Sequence, residues 1–140
     1  MGYRSEVAYT IRFADTDKGR QTFEIFLADA KQNENTKCCF DEAEGDEPNL
    51  KIDRVKLAIN FYADYVKWDM SFSDVKCHDS LLTLARDYVD DLADHDAREN
   101  CMGFLFYRIG EELNDIDELW GGDYDYEWLG VSRSIVKDWD

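Results

Sequence analysis

Two stretches of this chain alternate apolar and polar residues with a period of two, and the segments following them repeat apolar residues every three to four positions. That combination restricts the fold to a sheet with amphipathic helices laid against it. In the first stretch Tyr3, Val7, Tyr9, Ile11 and Phe13 share one parity, while Arg4, Glu6, Thr10 and Arg12 share the other. A half-buried strand over about 3–13 is predicted. The polar break Ala14-Asp15-Thr16-Asp17 offers N-cap residues, and Phe23, Phe26, Leu27 and Ala30 then mark a helix over about 18–31.

A short second strand is expected at Thr36–Asp41, ahead of an acidic loop, Glu42-Ala43-Glu44-Gly45-Asp46-Glu47-Pro48. The second alternating stretch starts at Ile52. Val55, Leu57, Ile59, Phe61, Ala63 and Tyr65 oppose Arg54, Lys56, Asn60, Tyr62 and Asp64, which predicts one long third strand. After Ser71-Phe72-Ser73-Asp74, which resembles a capping box, Val75, His78, Leu82, Ala85, Val89 and Leu92 predict a long helix over about 73–97. Cys101–Ile109 reads as a central, mostly apolar strand. Glu111–Leu119 is expected to form a short helix, and Trp128–Val136 a last strand after Gly121-Gly122.

The order β-α-β-β-α-β plus a C-terminal strand matches a ferredoxin-like split βαβ, an α+β fold with two helices on one face of a mostly antiparallel sheet. A length of 140 residues suits a single domain with an adequate core. No apolar run is long enough to span a bilayer and the first residues lack a signal-peptide core, so a cytoplasmic protein is expected. Cys38, Cys39, Cys77 and Cys101 form no CxxC pair; four free thiols are expected, with Cys101 buried.

Sixteen basic residues against 32 acidic ones leave a net charge of −16, which disfavours direct binding to nucleic acid or an anionic membrane. The excess is local. Between 87 and 127, Arg98 and Arg108 stand against fourteen acids, a net −12. Asp87, Asp90, Asp91 and Asp94 fall on one helical stripe opposite Ala85, Val89 and Leu92. Like charges at that spacing are mutually destabilising by a few tenths of a kcal/mol per pair, so folding alone does not favour the stripe. Charge runs are usually solvated faces. A ridge of carboxylates also approximates the phosphate spacing of nucleic acid, ~3.4 Å per strand. Trp120, Tyr124, Tyr126 and Trp128, interleaved with Asp117, Glu118, Asp123, Asp125 and Glu127, add residue types that anchor interfaces.

Signatures of catalysis are weak. Asp123-x-Asp125-x-Glu127 starts like a calcium loop, but Trp128 occupies the glycine position and Ser134 the final acid. Cys77 and His78 are adjacent, so a helix points them ~100° apart and they form no nucleophile–base pair. His78 lies on the apolar stripe and reads as a satisfied, partly buried histidine; His95, among Asp91, Asp94 and Asp96, reads as a surface group. No metal, cofactor or enzymatic activity is expected.

The segments Met1-Gly2-Tyr3-Arg4-Ser5-Glu6-Val7, Tyr65-Val66-Lys67-Trp68 and Phe106-Tyr107-Arg108-Ile109-Gly110-Glu111-Glu112 resemble a group of small acidic bacteriophage and prophage proteins. This chain departs from them in its cysteines and its acidic 41–47 loop. The resemblance implies synthesis in an infected bacterium, where small acidic proteins often inhibit host defence; it carries over no functional residue. The expected function is non-catalytic inhibition of a basic, nucleic-acid-binding host protein, such as a CRISPR effector or a restriction enzyme, by nucleic-acid mimicry. Asp87, Asp90, Asp91, Asp94, Glu111, Glu112, Asp115, Asp117, Asp123 and Asp125 are the expected surrogate phosphates, with Trp120 and Tyr124 as anchors. The competing expectation is an adaptor that binds a protein partner or a second copy of itself through sheet edges and aromatics, with Tyr62, Val66 and Trp68 partly exposed on the even-parity face of the third strand; a metal-dependent hydrolase on Asp123, Asp125 and Glu127 ranks third.

Overall fold

The computed structural model describes residues 4–40, 50–91, 101–112, 115–122, 129–132, 134–137 and 139. Strand β1 (Ser5–Phe13) leads into helix α1 (Asp17–Gln32), a 3₁₀ turn (Lys37–Phe40), β2 (Leu50–Asp53), β3 (Ala58–Val66) and helix α2 (Ser73–Asp91). Four strands follow: β4 (Met102–Ile109), β5 (Ile116–Gly122), β6 (Leu129–Ser132) and β7 (Ser134–Lys137). The first five strands form one antiparallel sheet in the order β2-β3-β1-β4-β5, and β6 and β7 form a separate hairpin. The protein is therefore α+β, with two helices and a five-stranded antiparallel sheet.

Helix α1 starts where its polar break predicts. Thr16 accepts a hydrogen bond from the Gly19 amide at 3.0 Å, the side-chain cap an N-terminus needs. Gly19 is required there, since a Cβ would sit 1.9 Å from the Ala14 carbonyl oxygen. Both helices pack on one side of the sheet: Phe23, Phe26, Leu27 and Ala30 of α1 and Leu81, Leu82, Ala85 and Val89 of α2 join Val7, Tyr9, Ile11, Phe61, Phe104 and Phe106 in one core.

The opposite sheet face is covered as well. Ala8, Leu105 and Tyr107 pack against Leu129 and Ile135 of the β6–β7 hairpin. The Glu6 carboxylate holds the two layers together, accepting from the Ile135 amide at 2.8 Å and from the Tyr62 hydroxyl. The expected half-buried β1 is thus buried on both faces through its middle, including Thr10. Alternation in β1 records the first layer only; the second arrives from residues more than a hundred positions away.

Four further expectations are corrected. Thr36–Asp41 is no strand: Lys37–Phe40 is a 3₁₀ turn, and the second strand is Leu50–Asp53. The long third strand is a hairpin, because β2 and β3 pair antiparallel around a turn at 54–57. Asp53 Oδ1 accepts from the Val55 and Lys56 amides at 3.0 and 2.9 Å, Leu57 takes a positive φ of 55°, and Val55 projects into solvent at 93% exposure. Glu111–Leu119 contains no helix among its described residues; Ile116–Gly122 pairs with β4 instead. The single last strand at Trp128–Val136 is the β6–β7 hairpin.

Near the end of β3 the pairing Val7–Ala63 is followed by Ser5–Val66, so β3 carries one extra residue there. Tyr65 absorbs it with a φ of 58° and stands 73% exposed. The inserted residue reverses parity. Val66 and Trp68 consequently pack against the helix-side core and Tyr62 packs under the hairpin, so the three are partly exposed as expected but do not share one face of the sheet.

Helix α2 is described to Asp91; the remainder of the predicted 73–97 helix, with Leu92 and His95, lies outside the described residues, as do Tyr3 and the 42–48 loop. No described helix is long and apolar enough to cross a membrane.

Candidate functional site

Helix α2 lies over β4 and the edge strand β5, and this placement decides how the acidic residues are presented. Leu82 reaches the same groove as Phe106 and Leu119, and a Cβ on Gly122 would meet Val89 Cγ2 at 3.1 Å. The helix therefore follows β5 along its length. Its core-facing residues Leu82, Ala85 and Val89 are buried, which turns Asp87, Asp90 and Asp91 outward, and all three are exposed. Asp94 lies outside the described residues.

Between α2 and β5 runs a groove of about 580 Å³. Trp68, Met70, Leu82, Phe106 and Leu119 supply its apolar part, and Asp79, Asp115, Asp117 and Glu118 its acidic part. Of the α2 acids only Asp79 is in the lining of this groove among the described residues; Asp87, Asp90 and Asp91 are exposed on the helix outside it. Glu111 and Glu112 are exposed in the β4–β5 connection, where Glu111 Oε1 accepts from the Arg4 amide at 2.6 Å. Trp120, on the opposite face of β5 from Leu119, is 51% exposed. Asp123, Tyr124 and Asp125 lie outside the described residues.

Arg108 changes the standing of two expected surrogate phosphates. Its guanidinium donates to both Asp115 oxygens, to Asp117 Oδ2 at 2.7 Å and to Ser5 Oγ at 3.1 Å, while the arginine side chain is only 14% exposed. The bond to Asp115 is the first cause holding the Arg108 pKa above its ordinary value. Asp115 and Asp117 are therefore committed to an internal fork that ties β5 to β4 and β1, while Asp87, Asp90 and Asp91 keep their charge outward. Replacing Arg108 with Met should destabilise the fold by roughly 1–2 kcal/mol, mainly by stranding the partly buried Asp115, since Asp117 is 61% exposed and stays solvated. Urea titration checks this, and Asp115→Asn in the Met background should recover part of the loss.

A second constellation went unseen in the sequence. Tyr9, fully buried in β1, places its hydroxyl 2.6 Å from His78 Nδ1 on α2, and the buried Cys39 Sγ lies 3.8 Å from the same nitrogen. Among the described residues the Tyr9 phenol has no other side-chain acceptor, so its proton points to Nδ1 and the imidazole carries its own on Nε2. Phe61 and Trp68 surround the ring at centroid distances of 4.2 and 5.8 Å. Burial pushes the His78 pKa down to about 4 and the Cys39 thiol up to about 12, and it raises Tyr9 well above its usual value. A neutral imidazole beside a protonated thiol is a satisfied structural cluster, not an activated nucleophile. Separations of 69 and 39 residues leave no local spacing by which this cluster is recognisable.

Beside it, Cys38 and Cys77 form a disulfide with Cα atoms 6.1 Å apart, and Cys39 and Cys101 are free and buried. The expectation of four free thiols is corrected on this point. Packing of the 3₁₀ turn on α2 brings the two cysteines to bonding separation across 39 residues. Among the described residues no group of His, Cys, Asp and Glu side chains is arranged to hold a metal ion. Asp123, Asp125 and Glu127, the proposed hydrolase ligands, lie outside them.

Compared with known proteins, the chain matches no family model, no curated protein and no solved structure.

Proposed function

We propose that this chain is a non-catalytic, phage-encoded inhibitor whose acidic face occupies the basic groove of a nucleic-acid-binding host defence protein. The observation that carries this reading is the outward stripe of Asp87, Asp90 and Asp91 on a helix lying alongside β5. The adjoining groove supports it: an apolar floor flanked by Asp79 and Glu118 suits the aliphatic stem and charged head of a partner's lysine or arginine. The order β2-β3-β1-β4 supports a ferredoxin-like split βαβ scaffold, with β5 added at one edge and the β6–β7 hairpin laid on the reverse face.

The test is plaque formation on bacteria that carry a CRISPR or restriction system and express this protein. Wild type restores plaques. Asp87→Lys, Asp90→Lys and Asp91→Lys together should lower that rescue by about tenfold or more without changing the circular dichroism spectrum, since charges at an interface rim govern capture of the partner. Rescue by the triple variant at the wild-type level rejects the reading.

A second reading is favoured by the edge position of β5, which presents half-exposed Ile116 and Trp120. Edge strands with apolar side chains pair with other chains. On this reading the protein is an adaptor or homodimer, and light scattering shows a dimer that persists at high salt and that Ile116→Lys dissociates.

A further inference from the structure

The sheet face opposite the helices carries a pocket that owes nothing to the acidic surface. The β6–β7 hairpin packs against β1 and β4 there, and beside it opens a pocket of about 430 Å³. Lys51, Asp53, Arg54, Lys56, Asn60 and Trp139 contribute to its lining. In a chain of net charge −16 this is a local excess of cations. Arg54 is engaged with Glu24 at 2.8 Å, and Asp53 Oδ1 is taken up by the backbone amides of its own turn. Lys51 and Lys56 have no carboxylate partner among the described residues, and both are exposed.

The wall between them is built from buried polar groups with a defined direction. Lys51 pairs across the ladder with Asn60, and Asn60 with Thr10. Arg12 Nε donates to Thr10 Oγ1 at 3.1 Å, and the Thr10 hydroxyl donates to Asn60 Oδ1 at 2.6 Å. That occupies the acceptor of Asn60 and leaves its NH2 without an acceptor among the described residues, although the residue is only 4% exposed. No described polar side-chain atom is both sealed and unpartnered, so this amide opens into the pocket. A buried amide aimed into a cavity is a donor awaiting an anionic or carbonyl oxygen. Trp139 adds an aromatic wall, with the Arg12 guanidinium 6.0 Å from its ring centre.

We infer that this pocket binds a nucleoside monophosphate, its phosphate between Lys51, Lys56 and the Asn60 amide and its base against Trp139. A bare phosphate would leave most of the volume empty, whereas pockets for small organic ligands start near 300 Å³. The chain's overall negative charge does not prevent this, because exposed charges are screened over ~8 Å at physiological ionic strength while the two lysines act at contact distance.

Calorimetry on the full chain in about 0.15 M salt tests the assignment, with AMP, UMP, adenosine and inorganic phosphate as titrants. AMP and UMP are expected to bind with a stoichiometry of one, and adenosine and inorganic phosphate about tenfold or more weaker. Lys51→Ala with Lys56→Ala should weaken AMP by about tenfold or more; both side chains are exposed, so folding is retained. Asn60→Asp, which replaces the donor with an acceptor of the same shape, should abolish binding. Absence of AMP and UMP binding at millimolar concentration, or AMP binding unchanged in the double lysine variant, overturns the inference. Inorganic phosphate binding as tightly as AMP overturns the nucleotide assignment.

Discussion

Lowering the pH from 7.5 to 4.5 should remove roughly 2.5 kcal/mol of stability through His78 alone. In the unfolded chain the imidazole titrates near 6.5, whereas burial among Tyr9, Phe61 and Trp68 holds it at about 4 in the native state. Above pH 6.5 both states are neutral and His78 contributes no slope. Between 6.5 and 4 the unfolded chain takes up a proton that the native protein refuses, so stability falls as the pH falls through that window. Protonation would also reverse the Tyr9 hydrogen bond by filling Nδ1. Urea denaturation at the two pH values measures the loss. His78→Gln, which keeps an acceptor for the Tyr9 hydroxyl, should flatten most of the dependence, and an unchanged slope in that variant would show that other groups set it.

Reduction of the Cys38–Cys77 bond is expected to have an effect of the same order. Closing a loop of 39 residues restricts the unfolded chain by about 4 kcal/mol on the loop-entropy model. For a domain of this length, that corresponds to a fall in Tm on the order of 10 °C. Cys38 is exposed, so a small reductant reaches the bond without prior unfolding. Calorimetric scans with and without dithiothreitol give the measurement, and Cys38→Ser should reproduce the reduced value while becoming insensitive to reductant. Equal melting temperatures in both buffers would mean that the two cysteines do not pair in solution. The staple ties the 3₁₀ turn to α2 immediately beside Cys39 and His78, so its loss should also flatten the pH dependence, because water admitted to the imidazole brings its native pKa back toward the unfolded value.

Elements with a strong period and a cap were legible from residues alone. The Thr16 cap and an uninterrupted apolar stripe mark helix α1 to within a residue of Asp17–Gln32, and a run apolar on both faces marks β4 to within a residue of Met102–Ile109. The β2–β3 hairpin was not legible. Its turn holds Arg54, Val55 and Lys56, which continue the alternation of the flanking strands, and it contains no glycine, proline or asparagine to announce a reversal. Likewise the i, i+3 spacing of Ile116 and Leu119 matches a helix, and pairing with β4 overrode it, leaving the two side chains on opposite faces of β5. The candidate site divides in the same way. Outward presentation of Asp87, Asp90 and Asp91 followed from helical geometry, whereas the diversion of Asp115 and Asp117 to Arg108 did not.

Charge, its concentration between 87 and 127, the α+β class and the apolar face of each helix were inherent in the order of residues, because each depends on neighbours a few positions apart. Pairing of β5 with β4, the covering of the second sheet face by β6 and β7, the Cys38–Cys77 bond, the Tyr9–His78–Cys39 cluster and the cationic pocket at Lys51 and Asn60 arose only in three dimensions. The physical reason is common to all five: each joins groups that no helical or strand period relates, and only closure of the sheet and burial of its two faces brings them within a few ångströms.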